Sequence, residues 1–235
     1  MTGKNIQTKP IYSGARVLVA VDCIIFGFDD EELKILLVKR DLDPEKGKWS
    51  LMGGFLKENE NLNEAATRVL GSLTGLRDIY MEQLSTFGNP DRDPVERTLS
   101  VAYYALINIS KHDKELIRRH SAKWFGIHDF PSLIFDHNEM VAHAIRRLRY
   151  RTSNQPVGFE LLPEKFTMRQ LQKLYEAILD QELDKRNFTK KINQLGLLIK
   201  LDEKNMESSK KGSYLFKFDQ VKYDQKVNEG FTFKL

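Results

Sequence analysis

The sequence predicts an α+β protein in two parts: a mixed sheet covered by helices, then a helix pair followed by a β-hairpin, with one amphipathic helix between them. Three observations predict it. Short β-branched runs occupy the first half of the chain without the regular strand and helix alternation of a doubly wound sheet. A helical period at 137–151 breaks at Ser-Asn-Gln-Pro-Val-Gly-Phe, the best boundary in the chain. Two further helical periods, separated only by a short polar turn, precede a pair of alternating strands. The expected division is 1–135, a connecting helix at 136–155, and 156–235.

Residues 15–27 and 33–40 are apolar runs joined by Phe-Asp-Asp-Glu-Glu and read as paired strands. Asp22 interrupts the first run, and it must either face a cavity or meet a base, because an unpaired buried carboxylate is costly. A loop rich in Asp, Pro, Lys and Gly leads to Trp49. Residues 51–55 read as a strand and turn, and 61–74 as a helix stopped by Gly75. Strands follow at 79–87, 99–109 and 122–127. The 137–151 helix places Met140, Ala144, Ile145 and Leu148 on one side, with arginines toward its end. Residues 166–180 form an amphipathic helix with Thr167 as N-cap and Phe166, Leu171, Leu174, Ile178 and Leu179 as its apolar set. In the next helix Phe188, Ile192 and Leu195 mark the inward face.

Composition excludes several classes. Charged residues near 30% and apolar residues near 41% describe a soluble globular chain. No apolar stretch approaches the roughly 18 residues of a membrane span, and the polar start lacks the apolar core of a signal peptide, so a cytoplasmic protein is expected. The single cysteine, Cys23, precludes an internal disulfide and reads as a buried strand thiol. Net charge is only +4, and its distribution is uneven. Basic and acidic residues number 22 and 21 through residue 159 but 15 and 12 beyond it.

The segment GGFLKENENLNEAATRVLGSLTGL (53–76) carries the clearest motif. It resembles the Nudix hydrolase signature at Gly54, Glu60, Arg68, Leu70, Gly75 and Leu76, while the signature's three other acidic places hold Val69, Ser72 and Leu73. Magnesium binds through hard oxygen ligands, mainly carboxylates and substrate phosphates. Positions 69, 72 and 73 share a helical face that would aim three carboxylates at one metal. That face carries a valine, a hydroxyl and a leucine, so neither metal nor cofactor nor catalysis is expected. Glu60 and Glu64 read as residues preceding or opening the helix, where its dipole favours acids.

Further segments, FGNPDRDPVERTLSVAYYALI (87–107) and IFDHNEM (134–140), resemble the Nudix-related transcriptional regulators over residues 15 to 220. The resemblance implies a catalytically silent Nudix-type α/β/α sandwich, a linker helix, and a C-terminal winged helix-turn-helix that binds operator DNA. Of its branches, VDCIIFGF, GKWSLMGGF and YMEQL look closer to the L-arabinose or pentose sensors than to the ADP-ribose-sensing repressors of NAD metabolism. The expected partners are therefore double-stranded operator DNA, a pentose effector with ADP-ribose as the alternative, and a second copy in a homodimer matching a palindromic operator.

Residues are assigned accordingly. Lys185, Arg186, Asn187, Lys190 and Lys191 make a basic outward face with no acid. Arg186 and Asn187 are expected on base edges, and the lysines on phosphates. Lys210 and Lys211 sit at the tip of the expected wing. For the effector, Trp49 is expected to supply an aromatic face and Asp22, Lys39 and Arg40 the polar groups. Arg92 and Asp93 belong to a loop that folds over the pocket or onto a partner subunit. Asp136 and His137 open the linker helix, and are expected to couple sensing to reading. Several have a plainer reading: Trp49 as packing, Lys39 and Arg40 as strand-end charges, Asp136 as an N-cap, and the basic helix as a solvated face. The competing function is an active magnesium-dependent Nudix hydrolase of a nucleoside diphosphate derivative, with Glu58, Glu60 and Glu64 as replacement ligands.

Overall fold

A computed structural model describes residues 14–75, 79–109, 122–156, 158–206 and 211–229. Strand β1 (Leu18–Phe28) is the spine of a seven-stranded mixed sheet. It pairs in parallel with β6 (Thr98–Asn108) along its whole length, Leu18 opposite Thr98 through Phe28 opposite Asn108. On its other side it pairs antiparallel with β2 (Leu33–Lys39) and β4 (Met52–Phe55). Strand β3 (Trp49–Ser50) and β7 (Ala122–Gly126) pair with β2, and β5 (Met81–Phe87) closes the far edge against β6, with a bulge between Gln83 and Ser85.

The apolar runs are continuous because both faces of the sheet are covered. Alternate residues of β1 point to opposite cores: Val21, Cys23 and Ile25 to one, Ile24, Phe26 and Phe28 to the other. The first core is closed by helix α1 (Leu62–Thr74), through Ala65, Ala66, Val69 and Leu70. Cys23 is wholly buried there, and burial pushes its thiol up to about 12, which removes it from nucleophilic chemistry. The second core is closed by helix α2 (His137–Asn154), through Met140, Val141, Ala144 and Leu148. The helix read as a linker thus also forms the second helical layer of the sandwich.

Capping sets the helix limits. Asn61 and Glu64 form a reciprocal capping box at α1, and Gly75 ends it in the left-handed conformation, φ 71°. Helix α2 runs past the expected break, through Ser153 and Asn154. It ends at Gln155 because a residue before proline is driven out of helical geometry.

Beyond a single 3-10 turn at Phe159–Leu161, short β8 (Phe166–Thr167) leads into α3 (Met168–Leu179). Thr167 caps α3 as expected, in a box with Gln170. Helix α4 (Lys185–Leu195) follows, and β9 (Leu198–Asn205) and β10 (Ser213–Phe218) form the wing, with β8 added to β10. A last helix, α5 (Gln220–Asn228), lies on the surface. Leu171, Leu174, Tyr175, Ile178, Phe188 and Ile192 join the same core as β1 and α2, so apolar packing is continuous from the sheet into the helix pair.

Candidate functional site

The strands β1, β2 and β4, the loop after β5 and the residues entering α2 enclose a cavity of about 440 Å³, within the usual range for small-molecule sites. Five of the six expected effector residues line it: Asp22, Lys39, Arg40, Arg92 and Asp93. Trp49 does not. Its indole packs edge-on against Phe125 at 4.9 Å and against the α2-side core, with Lys39 Nζ 5.4 Å from its ring centroid. The phenyl rings at the cavity are those of Phe55 and Phe135, and the His137 imidazole also lines it. Phe135 sits at φ 49°, a left-handed conformation that costs a side-chain-bearing residue about 1–3 kcal/mol. The Arg40 guanidinium lies 5.3 Å from its ring centroid, while Arg40 Nε donates to the carbonyls of Leu42 (3.0 Å) and Pro44 (2.7 Å), pinning the loop at the rim.

A buried charge network forms one wall. Arg92 Nε and Nη2 each donate to Asp136 at 2.8 Å, a two-bond fork, and Arg92 Nη2 stands 3.8 Å from Asp22. Asp22 accepts from Ser100 Oγ at 2.5 Å. Gly53 faces Asp22 across the β1 and β4 pair, and a Cβ there would fall 2.1 Å from the carboxylate oxygen, so only glycine leaves room for the acid. Asp136 occupies the N-cap position of α2 but makes no side-chain cap, because its carboxylate is engaged by Arg92. Capping therefore does not account for Asp136.

His137 is nine-tenths or more buried beside this network. The Leu51 N–H donates to its Nδ1 at 3.1 Å, so that nitrogen carries no proton, and Nε2 faces Asp22 at 3.9 Å. Burial lowers its pKa below the usual value, against the opposing pull of Asp22 and Asp136.

The signature residues keep their scaffolding chemistry. Arg68 donates to both oxygens of Glu60, at 2.8 and 2.5 Å, and to the Phe55 carbonyl at 2.9 Å, tying α1 to the turn that precedes it. Those bonds hold the Glu60 carboxyl down to about 2. Glu64 accepts from the Asn61 N–H at 2.8 Å. None of Glu58, Glu60 and Glu64 lines the cavity. Val69 is buried, with Cγ2 3.0 Å from a Cβ placed on Gly54, and Ser72 Oγ donates back to the Val69 carbonyl at 3.0 Å. The Leu73 side chain lies outside the described residues.

The second candidate surface lies on α4. Phe188 and Ile192 are buried, Leu195 is partly buried, and Lys185, Arg186, Asn187, Lys190 and Lys191 are all exposed, as the period predicts. Asp184 caps the helix by accepting from the Asn187 N–H at 2.8 Å. On the wing Lys200 and Lys204 lie 3.7 and 4.7 Å from the exposed ring of Tyr214, two cations that sequence reading did not single out. Lys211 is exposed at the wing tip, and Lys210 lies outside the described residues.

Comparison with known proteins adds to this geometry. A NUDIX domain model matches residues 17–148, and a model described as the NrtR DNA-binding winged helix domain matches residues 158–218. The chain is 33% identical over 211 residues to the ADPR responsive transcriptional repressor NtrR of Acinetobacter baylyi, covering 88% of this chain and 84% of that one. Shewanella oneidensis NrtR, solved with a 27mer DNA, superposes with a TM-score of 0.80 at 31% identity, covering 87% of this chain and 96% of the other. The NUDIX domain of the same protein, solved with ADP ribose, matches at 34% identity and TM-score 0.51, covering 60% of this chain and 94% of that domain.

Proposed function

Because the chain belongs to the Nudix-related transcriptional regulators with an NrtR-type winged-helix DNA-binding domain, we propose that it is a repressor that leaves its operator when ADP-ribose enters the Nudix cavity. The expectation of a pentose gives way here. The relatives whose names state an effector name ADP-ribose, and the cavity chemistry agrees. Lys39 and Arg40 present cations suited to a diphosphate, and Phe55 and Phe135 present rings suited to a base. A neutral pentose gives no reason for that pair of cations.

The observation that carries the reading is the Arg92 and Asp136 fork. It joins the cavity wall to the N-cap position of the helix that packs on the reader. A ligand that binds one arrangement of this junction more tightly shifts the population toward it, and so controls DNA affinity. The chain then senses without cleaving, since Val69 and Ser72 replace metal-binding acids and the nearby glutamates are held by Arg68 and the helix cap. It reads DNA as a cytoplasmic homodimer on a two-fold operator, α4 entering the major groove and the wing lysines reaching phosphates.

The test measures ADP-ribose and L-arabinose binding by calorimetry, and DNA binding by fluorescence anisotropy on duplex selected from genomic fragments. ADP-ribose is expected to bind and release the duplex while arabinose does neither. Binding of arabinose alone would restore the pentose reading. Sustained magnesium-dependent cleavage of ADP-ribose would overturn the silent one.

A further inference from the structure

The segment from β5 through its following loop runs antiparallel to α2, and touches it at three levels. Arg92 meets Asp136 at the cavity, Phe87 stacks edge-on with His143 at 6.1 Å, and Glu82 meets Arg147 and Arg151 at the far end. As numbers fall along the strand they rise along the helix, so one short stretch of chain grips α2 over about 20 Å of its length, at 1.5 Å per residue.

The far grip is built on a single carboxylate. Glu82 Oε1 accepts from Arg147 Nε at 3.2 Å and Nη2 at 2.9 Å. Its Oε2 pairs with Arg151 and accepts from the hydroxyls of Tyr80 (2.8 Å) and Tyr104 (2.9 Å). Arg151 also donates to Tyr80 OH at 2.5 Å and to Gln155. Between the two arginines, Arg149 turns to the reader and donates to the Ile178 carbonyl at 2.9 Å and Asp180 at 3.0 Å. The same helical turn is therefore anchored to the sensor on one side and to the end of α3 on the other. Ion clusters of this kind are a weak source of stability compared with apolar packing, and their best-attested use is to select one arrangement.

We propose that Glu82, with Arg147 and Arg151, is the positioning site that carries the state of the cavity to the reader: movement of Arg92 draws on the β5 strap, and the Glu82 grip forces the distal turn of α2, with Arg149 and α3, to follow. None of the three residues lines the cavity or belongs to the α4 and wing surface. This rests on the reading that the cavity ligand controls DNA binding.

The test compares full-length wild type with Glu82→Gln and, as a variant at a more exposed position that leaves the carboxylate in place, Arg147→Gln. ADP-ribose affinity is read by calorimetry, and duplex affinity by anisotropy with and without ligand. Both variants are expected to bind ADP-ribose within about twofold of wild type, while the ligand-induced loss of DNA affinity shrinks by tenfold or more. A merely structural role would move melting temperature and leave that ratio alone. Responsive wild type with equally responsive variants would overturn the proposal, as would loss of ADP-ribose binding in both variants, which would make the cluster a prop of the cavity. Wild type whose DNA binding ignores ADP-ribose would instead overturn the sensor reading beneath it.

Discussion

Replacing Asp136 with asparagine probes the pair on which the coupling rests. The Arg92 side chain is 3% exposed and that of Asp136 15%, joined by two bonds of 2.8 Å. Removing one partner of a buried ion pair costs about 3–5 kcal/mol, because the other charge is left desolvated. The amide retains one acceptor for Arg92, and Asp22 at 3.8 Å retains part of the countercharge, so the expected loss is nearer 2 kcal/mol, about 4–8 °C in Tm for a chain of this size. Thermal melts followed by circular dichroism at neutral pH measure it. The double change Arg92→Leu with Asp136→Leu should recover only part of the loss, since it removes the buried pair but leaves the Asp22 carboxylate without the Arg92 cation 3.8 Å away. A Tm within about 1 °C of wild type for Asp136→Asn would be incompatible with a desolvated ion pair, because it would mean that Arg92 is solvated without its partner.

Three other outcomes are expected. For His137 the folded pKa lies below the unfolded one, so the neutral ring is retained without penalty above about pH 6.5, and stability falls as pH drops below that value toward the folded pKa. Melts at pH 5.5 and 7.5 should show a larger fall for wild type than for His137→Gln, and equal falls would contradict it. Gly53→Ala should displace Asp22, lower Tm and weaken ADP-ribose binding at least tenfold, and unchanged calorimetry would count against Asp22 as part of the site. Lys190→Ala and Lys191→Ala should each reduce the slope of log affinity against log salt by about 0.9, and unchanged slopes would place both lysines off the phosphate backbone.

Much of the architecture is legible because its causes are local. Thr167 three residues before Gln170, Gly75 after a helical period, and Gln155 before Pro156 act over a few residues and hold in the fold. The candidate cavity is legible only in part. Charged residues in or just beyond the strands, such as Asp22 within β1 and Lys39 and Arg40 at the end of β2, stand out as misfits beside apolar runs. Trp49 and Phe135 are both large apolar residues beside loops, and nothing local says which of them faces the core. Glu82 is equally silent, an acid in a strand whose partners lie 65 and 69 residues further on.

The order of the main elements, the inward and outward faces of α4, and the lack of acids at positions 69, 72 and 73 can be read from the chain alone. Periodicity, caps and a signature are all written at short range. That Asp22 meets Ser100 across 78 positions, and Arg92 meets Asp136 across 44, emerges only once the chain is folded. Strand order is the cause. A parallel β1 and β6 pair and a strap lying antiparallel on α2 bring distant charges into one desolvated wall, and burial then makes each depend on the other.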